Sequence, residues 1–234
     1  ILAWVLRSFI VAPFSIPSGS MLPTLFVGDY VMVAKWPYGY SRYSFPFGFP
    51  SFDGRILKDL PERGDIVVFR APNGEDFIKR VIGLPGDRIS VESGMLTLNG
   101  ERMVREPEGM VEIPVSANSP CRVVAGAAPM VRDRGETRFC LFPAYRETLP
   151  GGRSFQVIDQ VDSPRADHIQ PTVVPEGHLF LMGDNRDDSL DSRFTPAEGG
   201  IGFVPVENVI GRAMIIFWST DGSASYWKPW TWFG

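Results

Sequence analysis

Turn-forming residues set the first limit on this fold: 24 glycines and 21 prolines punctuate 234 residues. Proline fixes φ and removes a backbone donor, and glycine supplies the tight turns, so such a chain favours strands over long helices. Apolar stretches with a helical period are scarce, and the expected fold is mainly β. The segment "PSGSMLPTL", residues 17–25, sharpens the point. Pro17 and Pro23 keep it out of regular helix and central strand, yet it carries Ser18 and Ser20 on either side of Gly19. Something other than a regular hydrogen-bond ladder must hold it.

With 44% hydrophobic and 21% charged residues, the chain can build one large folded domain or two modest ones. A net charge of −4 with scattered Lys and Arg gives no drive toward nucleic acid, and no such partner is expected. Cys121 and Cys140 are too far apart for a CxxC pair, and only two His residues exist, so no metal is expected. The two cysteines form one disulfide in an oxidising compartment or two buried thiols in a reducing one.

Both ends carry apolar signals. Residues 1–14, "ILAWVLRSFIVAPF", are apolar apart from Arg7 and Ser8. A membrane span takes about 20 such residues, so this stretch reads as the end of an anchor or as a buried helix opening a domain. The last residues, "YWKPWTWFG", hold Tyr226, Trp227, Trp230, Trp232 and Phe233. Such rings pack on a core or sit in the headgroup layer of a bilayer.

Inside the chain, "RGDIVVFRAP" reads as a strand over Ile66–Phe69. The alternation in "DFIKRVIGLPGD" places Phe77, Lys79 and Val81 on one face and Ile78, Arg80 and Ile82 on the other. Asn99-Gly100 is a hairpin signal, and Ser93-Gly94 marks a second turn. "HLFLMGDN" and "VIGRAMIIFWS" read as buried strands, whereas residues 104–172 resist assignment and read as an insertion or second domain. Residues 35–52 are aromatic and turn-rich, either a surface ribbon or a loop over the core.

A serine becomes a nucleophile only with an adjacent base. Neither His168 nor His178 lies in a context that suggests a triad. A lysine serves when apolar burial lowers its pKa, and Lys79 has apolar neighbours on its strand face. Most such lysines simply extend to water. The stretch "GDNRDDSLDSR", residues 183–193, is an acidic turn with Arg186 and Arg193. Asp187, Ser189, Asp191 and Glu198 fit four calcium-loop positions, but Ser192 stands where that loop needs glycine, so calcium is not expected.

Four stretches in this order, "PSGSMLPTL", "RGDIVVF", "FIKRVIGLPGD" and "GDNRDDSLDSR", continued by "GFVPVENVIGRA", resemble the bacterial type I signal peptidases. The resemblance implies a membrane-bound serine endopeptidase that removes signal peptides from exported preproteins after small residues, in an Ala-x-Ala manner. Ser20 matches the nucleophile and Lys79 the general base. Ser18 matches the residue whose hydroxyl, with the Ser20 N–H, forms the oxyanion hole. Ser189 matches a serine that hydrogen-bonds the lysine, and Asp191, Arg193 and Arg80 match residues that brace the site. Pro17 shapes the loop, and Phe14, Ile16, Met21, Leu25, Phe77 and Ile78 match the walls of the substrate pockets.

The implied fold is an antiparallel β catalytic domain over residues 15–89 and 176–234, with a β-rich insertion over 90–175 and the end of an anchor over 1–14. The catalytic face would lie on the periplasmic side of the cytoplasmic membrane, against lipid, with no cofactor or metal. An oxidising periplasm favours a Cys121–Cys140 bridge. Two departures stand out: "FTPAEGGIGFVP" adds residues after Arg193, and Asp188 stands where the family commonly has Asn. Two other readings are a self-cleaving Ser–Lys repressor protease and a non-catalytic membrane-attached scaffold. The first calls for a helical DNA-binding module where this chain has an apolar segment.

Overall fold

In a computed structural model of the chain, residues 6–49, 51–128 and 130–222 are described. The aromatic cluster from Tyr226 to Phe233 and the first five residues lie outside them. The fold is mainly β, in antiparallel sheets. The main sheet has seven strands in the order Val11–Ser15, Asp29–Ala34, Val209–Ser219, Ile66–Arg70, Asp76–Gly83, His178–Met182 and Val204–Pro205. Every neighbouring pair is antiparallel. Its central strands are the β-branched and aromatic runs that the sequence marks, and they bury both faces.

Asp76–Gly83 illustrates how the sheet sorts side chains. Phe77 and Val81 pack with Val67, Phe69 and Leu181 in one cluster, while Ile78 joins Val31, Val33 and Val68 in another. Period-two alternation thus feeds two cores from one strand. A third core lies where Ile82, Phe180 and Met182 meet Ile89, Val91, Leu96 and Leu98. The last four come from Arg88–Glu92 and Met95–Leu98, which form a second sheet with His168–Val173 and Glu101–Arg102. Both turn signals are realised: Ser93-Gly94 and Asn99-Gly100 have positive φ at each residue, as two-residue hairpins require.

The region between residues 104 and 158 contains long strands that its sequence hides. Val104–Pro114 and Met130–Arg134 flank Thr137–Thr148, which also pairs with Ser154–Ile158. Cys121 and Cys140 are joined in a disulfide, with Cα atoms 5.6 Å apart. Cys140 sits in a small core with Ile113, Phe142, Ile158 and Leu22, so this sheet packs beside the serine loop.

Of the apolar start, residues 6–14 are among those described. Leu6–Ile10 forms a single wide helical turn, and Val11–Ser15 is a strand paired with Asp29–Ala34. Pro13 is tolerated there because this is an edge strand. Among the described residues no helix is long and apolar enough to cross a membrane. Residues 35–49 form short 3-10 turns interrupted by Tyr40–Ser41, a strand paired with Arg55–Ile56, and Tyr38, Ser44 and Phe45 of this segment are buried against the core.

Candidate active site

Ser20 lies on a single 3-10 turn, Gly19–Met21, between Pro17 and Pro23. What replaces the missing ladder is a clamp from residue 185. The Asn185 backbone N–H donates to Ser20 O at 3.0 Å, and its side-chain amide donates to Gly19 O at 3.1 Å. Met21 is fully buried beneath the turn, so the loop is anchored from below and from the side. Ser18 Oγ lies 3.4 Å from Ser20 Oγ.

Lys79 approaches from the centre of the main sheet, opposite Val67 on the neighbouring strand. Its side chain is buried, with Nζ 2.6 Å from Ser20 Oγ and 3.1 Å from the Ile78 carbonyl. Burial lowers the ammonium pKa to about 8. The charges of Asp191, Asp184 and Asp188 oppose that shift without cancelling it. The lysine is therefore close to the point where it can release its proton near neutral pH.

Residues 183–193 wrap this pair in buried charges. Arg80 donates to both oxygens of Asp184 at 2.7 and 2.6 Å, and to Gly64 O at 2.8 Å. Thr24 donates to the same Asp184 carboxylate at 2.5 Å, tying the serine loop to the arginine. Asp191 accepts from Gly183 N–H at 3.0 Å and from Arg193 Nε at 2.9 Å. Burial alone would raise the Asp191 pKa, but Arg193 and the donated hydrogen bonds bring it below the usual carboxylate range. Arg186 pairs with Glu147 of the neighbouring sheet, and the Ile158 backbone N–H donates to Asp184 O at 2.9 Å. These ties fasten the loop at both ends.

The arrangement brings together Ser18, Ser20, Lys79, Arg80, Asp191 and Arg193. Ser189 departs from its expected contact. Its Oγ is buried without a hydrogen bond of ordinary geometry, and lies near enough to Asp191 to favour the ionised carboxylate. No hydrogen bond joins it to Lys79 among the described residues. Gly183 packs against both serines so closely that a Cβ there would collide with Ser189 Oγ and the Ser20 carbonyl.

A cavity of about 740 Å³ opens in front of Ser20 and Lys79. Phe14, Pro17, Phe77 and Ile78 line it as expected. Ile16, Met21 and Leu25 do not: all three are buried behind the wall, with Val31, Val68 and Ile210. Sequence reasoning missed Leu190 and Gly199, which line the cavity from the stretch around the extra residues after Arg193. That stretch is held by Glu198, which caps Thr195 and pairs with Arg165 at 2.7 Å. Asp188 also faces the cavity and pairs with Arg122 at 3.2 Å. Thr24, Gly183 and Asn185 carry no sequence signal beyond their place near the serines and acids. The two His residues do not line the cavity, and the Asp191 and Glu198 carboxylates are engaged by arginines.

The family described as signal peptidase, peptidase S26, matches residues 1–218. Signal peptidase I of Rickettsia typhi is 37% identical over 229 residues, covering 94% of this chain and 76% of that protein. Signal peptidase I of Rickettsia canadensis is 36% identical with the same coverage. A solved signal peptidase I from Enterococcus faecalis is 24% identical and superposes with a TM-score of 0.34, covering 67% of this chain and 98% of its own. The match over nearly the whole length places the chain in the signal peptidase family, peptidase S26, whose members are serine endopeptidases that remove signal peptides.

Proposed function

We propose that Ser20 is the nucleophile and Lys79 the general base of this peptidase. The observation that carries the reading is a buried lysine, its pKa lowered to about 8, with Nζ 2.6 Å from a serine hydroxyl at the mouth of a cleft. In its neutral form Nζ accepts the Ser20 proton as Oγ attacks the carbonyl after the signal peptide. The tetrahedral oxyanion is met by the Ser18 hydroxyl and the Ser20 N–H. Collapse breaks the C–N bond, and the lysine passes its proton to the leaving amine. Water then hydrolyses the acyl-enzyme with the lysine again taking a proton, which returns to Ser20. Asp191, Arg193 and Arg80 act as positioning residues, and Ser189 acts on Lys79 through Asp191.

The apolar walls at Phe14, Phe77 and Ile78 suit an extended peptide with small side chains at −1 and −3, the Ala-x-Ala pattern. We assign residues 15–89 and 176–234 to the catalytic domain and 90–175 to an inserted domain. An exposed apolar ribbon, Met214–Trp218, with Phe9, Ile10 and Trp36 exposed nearby in the same sheet region, supports placement of the domain against the periplasmic face of a cytoplasmic membrane. The chemistry assigned here calls on no metal or organic cofactor.

The test is cleavage of a preprotein bearing an Ala-x-Ala site, in detergent or lipid, with the cut mapped by mass spectrometry. A single cut after the second alanine, lost in Ser20→Ala, is the expected result. A cut that survives Ser20→Ala in a folded protein overturns the nucleophile.

A further inference from the structure

Beside the catalytic cleft lies a smaller cavity of about 220 Å³. The two share Phe14, Arg70 and Asp76 as a common wall. The small cavity adds Arg7, Lys35 and Tyr43, so three cations surround a single carboxylate. That carboxylate is taken: Asp76 pairs with Arg70 at 2.7 Å. Lys35 is only 4% exposed, and its ammonium makes one hydrogen bond among the described residues, to the Ser44 carbonyl. Arg7 makes no hydrogen bond or ion pair among the described residues. Lys35 and Arg7 therefore share a pocket whose one carboxylate is already engaged by Arg70.

That arrangement is costly. Burial and, next, the Arg7 charge push the Lys35 pKa down to about 8, with Asp76 opposing them. A buried cation with a cationic neighbour is stabilised when an anion enters. Charge-assisted hydrogen bonds from arginine and lysine suit phosphate oxygens in particular.

We propose that this cavity binds the phosphate of an anionic lipid headgroup, held by Lys35 and Arg7. The proposal rests on the membrane placement made above. The cations belong to the edge of the fold that carries exposed apolar side chains: Arg7 is followed by exposed Phe9 and Ile10, and Lys35 by exposed Trp36. A site for a free phosphate has no need of such flanks, whereas a headgroup brings acyl chains that those side chains can meet. The shared wall then ties lipid occupancy to the entrance of the peptide cleft.

The test measures binding of the full chain, in a Ser20→Ala background, to vesicles of phosphatidylcholine with and without phosphatidylglycerol. Inorganic phosphate is titrated separately without lipid. Phosphatidylglycerol should tighten binding, and Arg7→Gln should weaken that gain by roughly fivefold, as one basic contact at a charged surface implies. Lys35→Met should do the same where its thermal melt shows it folded; Arg7 is exposed, so its variant carries the test regardless. Arg88→Gln, which removes an exposed charge elsewhere, should leave the gain intact.

Equal loss in Arg88→Gln shows diffuse attraction and overturns the site. Arg7-dependent binding of inorganic phosphate without any preference for phosphatidylglycerol also overturns the headgroup as occupant. So does an Arg7→Gln effect seen only as a raised KM for peptides with acidic residues in detergent, which would make the cavity a reader of substrate carboxylates. Tight binding to both vesicles without discrimination overturns the headgroup site and leaves the membrane placement standing. Failure to bind either vesicle overturns both. Loss of the Ser20-dependent cut, with the binding pattern intact, removes only the peptidase assignment.

Discussion

At the scale of single residues, the site depends on a lysine that must lose its proton to work. With the Lys79 pKa near 8, neutral amine accumulates as pH rises through that value, so kcat/KM should climb along a limb with an apparent pKa near 8. A pH–rate profile on a soluble peptide checks this; a limb flat from pH 6 to 9 would remove Lys79 as base. Lys79→Ala should lose at least about 100-fold in kcat while the protein stays folded. Gly183 carries a second prediction. A Cβ there meets Ser189 Oγ and the Ser20 carbonyl, both fixed by buried neighbours. Gly183→Ala should cost about 1–3 kcal/mol by overpacking. It should also lower kcat more than it raises KM, because Ser20 is displaced from Lys79. Thermal unfolding and steady-state kinetics on one preparation read both effects.

At the scale of elements, the strands that hold the site were legible and the inserted strands were not, for a physical reason. Ile66–Arg70, Asp76–Gly83 and His178–Met182 bury side chains at nearly every position, most of them apolar, which sequence displays as compact apolar runs. Val104–Pro114 and Met130–Arg134 expose most of theirs, so nothing in their sequence alternates. The same blindness misplaced Ile16, Met21 and Leu25: an apolar residue beside a catalytic serine can face cleft or core, and only the packing of the turn against Val31 and Val68 decides. The disulfide supports a prediction at this scale. It closes a loop of 19 residues and fixes Arg122, next to Cys121, opposite Asp188 at the cleft. Replacing both cysteines by alanine should destabilise the fold by about 3 kcal/mol through the freed loop, read as a lower midpoint in denaturant. An unchanged midpoint would show that the Ile113–Phe142 core alone holds this segment.

At the scale of the whole molecule, the main sheet presents two unlike regions to its surroundings. Its central strands are sealed on both faces, whereas the far end of Val209–Ser219, beyond its pairing with Ile66–Arg70, exposes five apolar residues in a row beside Tyr30. Strands bury alternate residues when a core covers one face. Exposure of Met214 through Trp218 without alternation means that the described residues cover neither face of this end. In water such a ribbon favours association with other apolar surface, and a sheet seated in a headgroup layer would be covered by lipid. Because these side chains are about half exposed already, charging them costs the fold little. Ile215→Glu together with Trp218→Glu should therefore leave the thermal midpoint and the cleavage of a short soluble peptide near those of the parent. The same pair should weaken partition onto phosphatidylcholine vesicles by roughly tenfold or more, since each replaces buried apolar area with a charge at the interface. Vesicle flotation measures the first quantity and peptide hydrolysis the second. Unchanged flotation with unchanged hydrolysis would assign the ribbon to a protein partner instead of lipid. Loss of both would show that the ribbon supports the cleft through the strand Asp29–Ala34 that it shares with Phe14.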